Sequence, residues 1–165
     1  MNAITPPPSR IYLLRHAEAS PPTDGQRDFD RPLSEKGYAD AEILSENAAD
    51  KGYRPDRVLS STALRCRQTA EAVHRAMGEN LDIRFVDALY NATAETYLDI
   101  IGAQLDVGSV MLVGHNPVIE QALETLIGHQ AIAQTLPNGF PPGGLAILDY
   151  NVGLNGWRLI DFMNG

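Results

Sequence analysis

Apolar runs and helical stripes alternate along the chain. After Arg10, the run Ile11-Tyr12-Leu13-Leu14 suits a short buried strand, and it stops abruptly at Arg15-His16. Residues 19–32 are polar and rich in Pro, Asp and Gly, and read as a loop. Ser34 can cap a helix to about Lys51, with a thin apolar side at Tyr38, Ala41, Leu44 and Ala48 and a stop at Gly52. Arg57-Val58-Leu59-Ser60 reads as a second strand. Ser61 or Thr62 then caps a helix to about Met77, whose core stripe is Cys66, Ala70, Val73 and Met77. Residues 82–86 alternate like a third strand. A helix beginning near Thr93 is expected to turn Tyr97, Leu98, Ile101 and Leu105 to one face.

Val110-Met111-Leu112-Val113 is a fully apolar strand, followed by Gly114-His115-Asn116-Pro117. Asn at the cap and Pro at the first helical position predict a helix there, with Ile119, Ala122, Leu123, Leu126 and Ile127 inward. Residues 137–144 must be a loop. Residues 145–150 and 157–162 read as a closing hairpin. Strands alternating with helices predict an α/β three-layer sandwich, a mostly parallel sheet flanked by helices with a final antiparallel pair. Residues 1–9, with three consecutive prolines, read as a flexible lead-in, and residues 10–165 as a single domain.

Composition narrows the function. A length of 165 residues allows a full core without disulfides. The net charge of −8 speaks against nucleic-acid binding, which needs a basic face. One cysteine excludes a disulfide framework and a multi-thiolate zinc site. No window reaches the roughly 20 apolar residues of a membrane span. With no signal-like apolar segment at the start, the cytoplasm is the expected compartment.

Ligands of open α/β sheets bind beyond the carboxyl ends of the strands. Three segments send polar side chains there: Arg15-His16, Ser60-Ser61-Thr62 with Arg65 just inside the next helix, and Gly114-His115. Two guanidinium forks match phosphoryl oxygens. A neutral histidine in the right tautomer can be a nucleophile, and a second, protonated one adds a further donor. Helix N-termini near Thr62 and Pro117 add partial positive charge. The set suits phosphoryl transfer. His74 and His129 lie away from the strand ends and read as structural or exposed. Cys66 falls in the core stripe, and Asp24, Asp28 and Asp30 read as a solvated loop.

Other phosphate chemistries lack their residues. Cys66 is followed six positions on by Ala72, not Arg. Asp28-Phe29-Asp30 follows no apolar strand. There is no Gly-Lys pair and no Gly-x-Gly.

The run Leu13-Leu14-Arg15-His16-Ala17-Glu18 resembles the Arg-His-Gly/Ala signature of the histidine phosphatase superfamily, with its phosphoglycerate mutase-like fold. The resemblance continues through residues 31–37, 60–70 and 89–90 and at Val113-Gly114-His115-Asn116-Pro117, in family order over about residues 10–150. The short length and the Arg-Pro-Leu-Ser and Gly-His-Asn-Pro blocks are most similar to the SixA-like branch, whose founding members act on phosphohistidine in proteins. The resemblance implies His16 as a transiently phosphorylated nucleophile, with Arg15, Arg65 and His115 clamping the phosphoryl oxygens. It implies no metal and no organic cofactor. Larger members carry an acidic proton donor after the third strand, where Asp87 is the nearest candidate here. A site without a strong acid favours phosphoramidates and activated esters over alkyl esters. The expected partner is a phosphorylated protein or a small phosphorylated metabolite. A non-catalytic phosphate-recognition module is the alternative from another class, and the presence of both histidines and both arginines speaks against it.

Overall fold

Six strands pair into one sheet in the order β3-β2-β4-β1-β5-β6. They are β1 (Arg10–Arg15), β2 (Arg57–Ser61), β3 (Asp82–Val86), β4 (Ser109–Gly114), β5 (Leu145–Asn151) and β6 (Gly156–Met163). The computed structural model describes residues 4–164. The first four strands run parallel, and β5 and β6 add an antiparallel pair. Five helices complete the fold: α1 (Glu35–Asp50), α2 (Leu64–Met77), α3 (Ala94–Gly102), α4 (Val118–Ile127) and α5 (His129–Thr135).

The central strands are apolar throughout because both faces of the sheet are covered. Tyr12 and Leu14 of β1 pack with Leu44 and Ala48 of α1 and Cys66, Ala70 and Val73 of α2. Ile11 and Leu13 face the other way, onto Leu98 and Ile101 of α3, Ile119 and Leu123 of α4 and Ile132 of α5. The expected three-layer architecture is thus observed.

Several local expectations shift. Ser34 caps α1 as expected, its Oγ accepting from the Gly37 amide at 3.0 Å. Neither Ser61 nor Thr62 caps α2, because β2 extends through Ser61 and the helix starts only at Leu64. Pro117, not Asn116, is the cap of α4, although the Asn116 side chain still accepts from the Glu120 amide at 3.3 Å. Helix α3 stops at Gly102, so Leu105 lies beyond it and is 68% exposed rather than inward. Helix α5 was not expected. The lead-in is docked from residue 4 onward: Ile4 is buried, and Trp157 Nε1 donates to its carbonyl at 2.9 Å. Pro8 is buried as well, and the Ser9 amide donates to the Gly108 carbonyl at 2.9 Å, so both ends of that segment are held. The part of the expected lead-in at residues 1–3 lies outside the described residues.

Candidate active site

Register brings the expected chemistry together. Arg15 of β1 is level with Gly114 of β4, and Ser60 of β2 with Val113 of β4. Since β2, β4 and β1 are neighbours and parallel, their carboxyl ends meet at one edge. His16 follows β1, His115 follows β4, and Arg65 stands in the first turn of α2. All four predicted residues, Arg15, His16, Arg65 and His115, line one cavity of about 600 Å³. The two imidazoles meet edge to face with centroids 5.4 Å apart.

His16 is held by its surroundings in one tautomer. Its Nδ1 lies 2.7 Å from the Ala17 carbonyl. A carbonyl only accepts, so Nδ1 carries the proton and Nε2 keeps its lone pair. Burial pushes the His16 pKa down to about 3; the Ala17 hydrogen bond opposes this, and His115, Arg65 and Arg15 add to it. The ring is therefore neutral at pH 7. The backbone around it is pinned on three sides. The His16 amide donates to Gly114, the His16 carbonyl accepts from Gly143, and the Ala17 amide donates to Thr69 Oγ1 at 3.1 Å.

His115 differs from its expected protonated state. Burial, with Arg65 adding to it and Asp28 opposing more weakly, lowers its pKa to about 4. Its Nδ1 faces Arg65 Nη2 at 3.5 Å, and its Nε2 lies 2.8 Å from Ser61 Oγ. The ring is therefore neutral at pH 7 and accepts from arginine. Cys66 Sγ packs 3.5 Å from the same Nε2, and burial raises its thiol to about 12, consistent with a core cysteine.

Arg15 is aimed by the 137–144 loop, which the sequence marked only as a connection. Its Nη1 donates to the Phe140 carbonyl at 2.7 Å. Glu120 of α4 holds that loop through the Phe140 amide at 2.8 Å. Arg15 Nε is buried with no acceptor among the described residues, a charged donor lacking a protein partner.

Two expectations about carboxylates are corrected. Asp87 is exposed in a short 3₁₀ turn and does not line the cavity. That turn directs Leu89 and Tyr90 inward instead. The acidic side chain that does line the cavity is Glu18, which accepts from Ser34 Oγ at 2.9 Å. Asp28 is no free loop residue: it accepts from Arg65, Tyr90 and Arg31. Arg31 and Tyr90 also line the cavity. They sit in segments singled out by resemblance, but only tertiary contact shows their place. His129 is exposed and His74 half-buried, both off the cavity, as expected. Among the described residues, no cluster of three His, Cys, Asp or Glu is arranged to hold a metal ion. No helix there is long and apolar enough to cross a membrane.

An edge-of-sheet pocket with three arginines, two imidazoles and the start of α4 at Pro117 and Val118 is a site for a tetrahedral oxyanion beside a nitrogen nucleophile. The chain belongs to the histidine phosphatase superfamily (branch 1), whose family model matches residues 11–94. It is thus a phosphatase of the class that works through a histidine nucleophile. A solved structure from Agrobacterium tumefaciens, assigned as the phosphohistidine phosphatase SixA, is 54% identical, with a TM-score of 0.90 over 96% of this chain and 99% of that one. An uncharacterised protein of Mycobacterium tuberculosis is 32% identical over 82% of this chain and 85% of its own length. An uncharacterised chloroplastic protein of Arabidopsis thaliana is 33% identical over 72% of this chain, which spans only 59% of that relative.

Proposed function

We propose that the pocket removes a phosphoryl group from phosphohistidine in a protein, by way of a phosphorylated His16. His16 Nε2 attacks phosphorus while Arg15, Arg65 and His115 hold the equatorial oxygens. The substrate's phosphorus–nitrogen bond breaks, and its imidazole leaves with a proton from solvent. Water then attacks the phosphorus on His16, releasing inorganic phosphate and restoring the neutral ring.

The observation that carries this reading is the Nδ1 contact of His16 with Ala17, which leaves Nε2 free in a pocket of arginines. The choice of substrate is supported by the displaced Asp87. An alkoxide needs a proton donor to leave, whereas imidazole leaves readily. Similarity to the Agrobacterium protein points the same way. A cytoplasmic setting belongs to this reading.

A second reading, a small-molecule phosphomonoesterase, draws on Glu18, a carboxyl in the cavity wall that can serve as proton donor. Turnover of a phosphohistidine protein against alkyl phosphates separates the two. Faster turnover of alkyl phosphates would favour the second. Incubation with a labelled phosphoryl donor is expected to give an acid-labile, base-stable label on the wild type and none on His16→Ala. Normal turnover by His16→Ala would remove His16 from the role of nucleophile.

A further inference from the structure

We propose that Asp28 is a positioning residue that locks Arg65 in the phosphoryl clamp before substrate arrives. The proposal rests on the phosphoryl-transfer reading above. Arg65 Nη1 donates to the Asp28 backbone carbonyl at 2.7 Å, and Nη2 to the Asp28 carboxylate at 2.9 Å. One residue thus takes both tips of the guanidinium fork and fixes its plane. The same carboxylate oxygen accepts the Tyr90 hydroxyl at 2.8 Å, and the other accepts from Arg31 Nη1 at 3.1 Å. Arg65, Tyr90 and Arg31 all line the cavity, and Asp28 does not. It therefore acts through its three partners rather than by touching substrate.

An unrestrained arginine loses rotamer freedom when it is ordered. Here the 28–30 turn has ordered Arg65 in advance, so that binding does not have to. Two of its five N–H groups are committed to Asp28, and a further Nη2 N–H faces His115 Nδ1 at 3.5 Å, so the guanidinium is tied to the pocket from both sides. Burial works against the Asp28 charge, yet Tyr90, Arg65 and Arg31 outweigh it and hold the carboxyl at about 2. The lock is thus charged throughout the working range of pH. A pure competitor for Arg65 would use the same contacts to opposite effect, and the two roles differ in sign.

The test is a double-mutant cycle between Asp28→Asn and Arg65→Ala, read by vanadate affinity, together with kcat and KM of Asp28→Asn on an aryl phosphate. Asp28→Asn is expected to lower kcat about 10- to 100-fold, the range seen for partners that orient metal ligands, with KM changed by less than about 3-fold. Its vanadate Kd is expected to rise about 10-fold in the wild-type background and less than about 2-fold with Arg65→Ala. Melting temperatures are read alongside, and Asp28→Ser serves if Asp28→Asn does not fold. Equal effects in both backgrounds, an unchanged kcat, or tighter vanadate binding would each overturn the proposal. If the wild type neither labels nor turns over, the phosphatase reading fails by itself. If it does both and the cycle is additive, only the role of Asp28 is lost.

Discussion

Ala17 decides the chemistry of His16. Its carbonyl takes the Nδ1 proton, and burial keeps a second proton off Nε2. The same burial makes stability depend on pH. An unfolded histidine titrates near 6.5, whereas His16 and His115 are held at about 3 and about 4. Between about pH 4 and 6.5 the unfolded chain therefore binds more protons than the folded one. Stability from these two groups is complete above pH 6.5 and is lost as the pH falls, by up to about 1.4 kcal/mol per pH unit for each proton. Urea midpoints at pH 7 and pH 5 are expected to differ in that direction, and equal midpoints would contradict it. A bound oxyanion reverses the balance at His115, since its charge favours the imidazolium. Vanadate binding near pH 6.5 is then expected to take up a proton. Calorimetry in buffers of different ionisation heat measures that uptake directly.

At the scale of elements, the junction of β4 and α3 sets the pocket floor. Tyr97 of α3 is fully buried, and its hydroxyl accepts from the His115 amide at 2.9 Å and donates to the Leu89 carbonyl at 3.3 Å. A Cβ on Gly114 would sit 2.6 Å from that hydroxyl. Gly114→Ala is expected to displace the Tyr97 ring, cost about 1–3 kcal/mol and lower turnover by loosening His115 and the Tyr90 wall together. Gly102→Ala, whose added carbon meets only Ile4 at 3.6 Å, is the control expected to leave turnover unchanged. Urea titration and steady-state rates on both variants check this. These elements differed in how far the sequence disclosed them. Strands β1 and β4 were plain because a strand covered on both faces must be apolar throughout, and their ends mark the site. Helix α5 was hidden because its seven residues bury only Ile132. Asp28 and Phe140 were hidden for another reason. Their partners, Arg65 and Arg15, lie 37 and 125 positions away, and nothing in a loop's own composition announces such a contact.

The whole molecule works against its own pocket at long range. The chain carries 21 acidic and 13 basic side chains, a net charge of −8, yet the cavity gathers Arg15, Arg31 and Arg65. Held at bonding distance, a phosphoryl group feels the local donors, which salt screens little. Approaching from beyond a Debye length of about 10 Å at 0.1 M, it feels the negative surface. Salt should therefore separate encounter from chemistry. For a small dianionic aryl phosphate, kcat/KM is expected to rise about 2- to 5-fold as sodium chloride goes from about 10 to 200 mM, while kcat stays flat. A phosphohistidine protein that docks through a basic face should show the opposite slope, because salt weakens a steered encounter. Opposite slopes for the two substrates would support a protein as the physiological partner. A kcat/KM that falls with salt for the small dianion would mean that the pocket's field dominates the approach, and the net charge would then carry no weight in choosing the substrate.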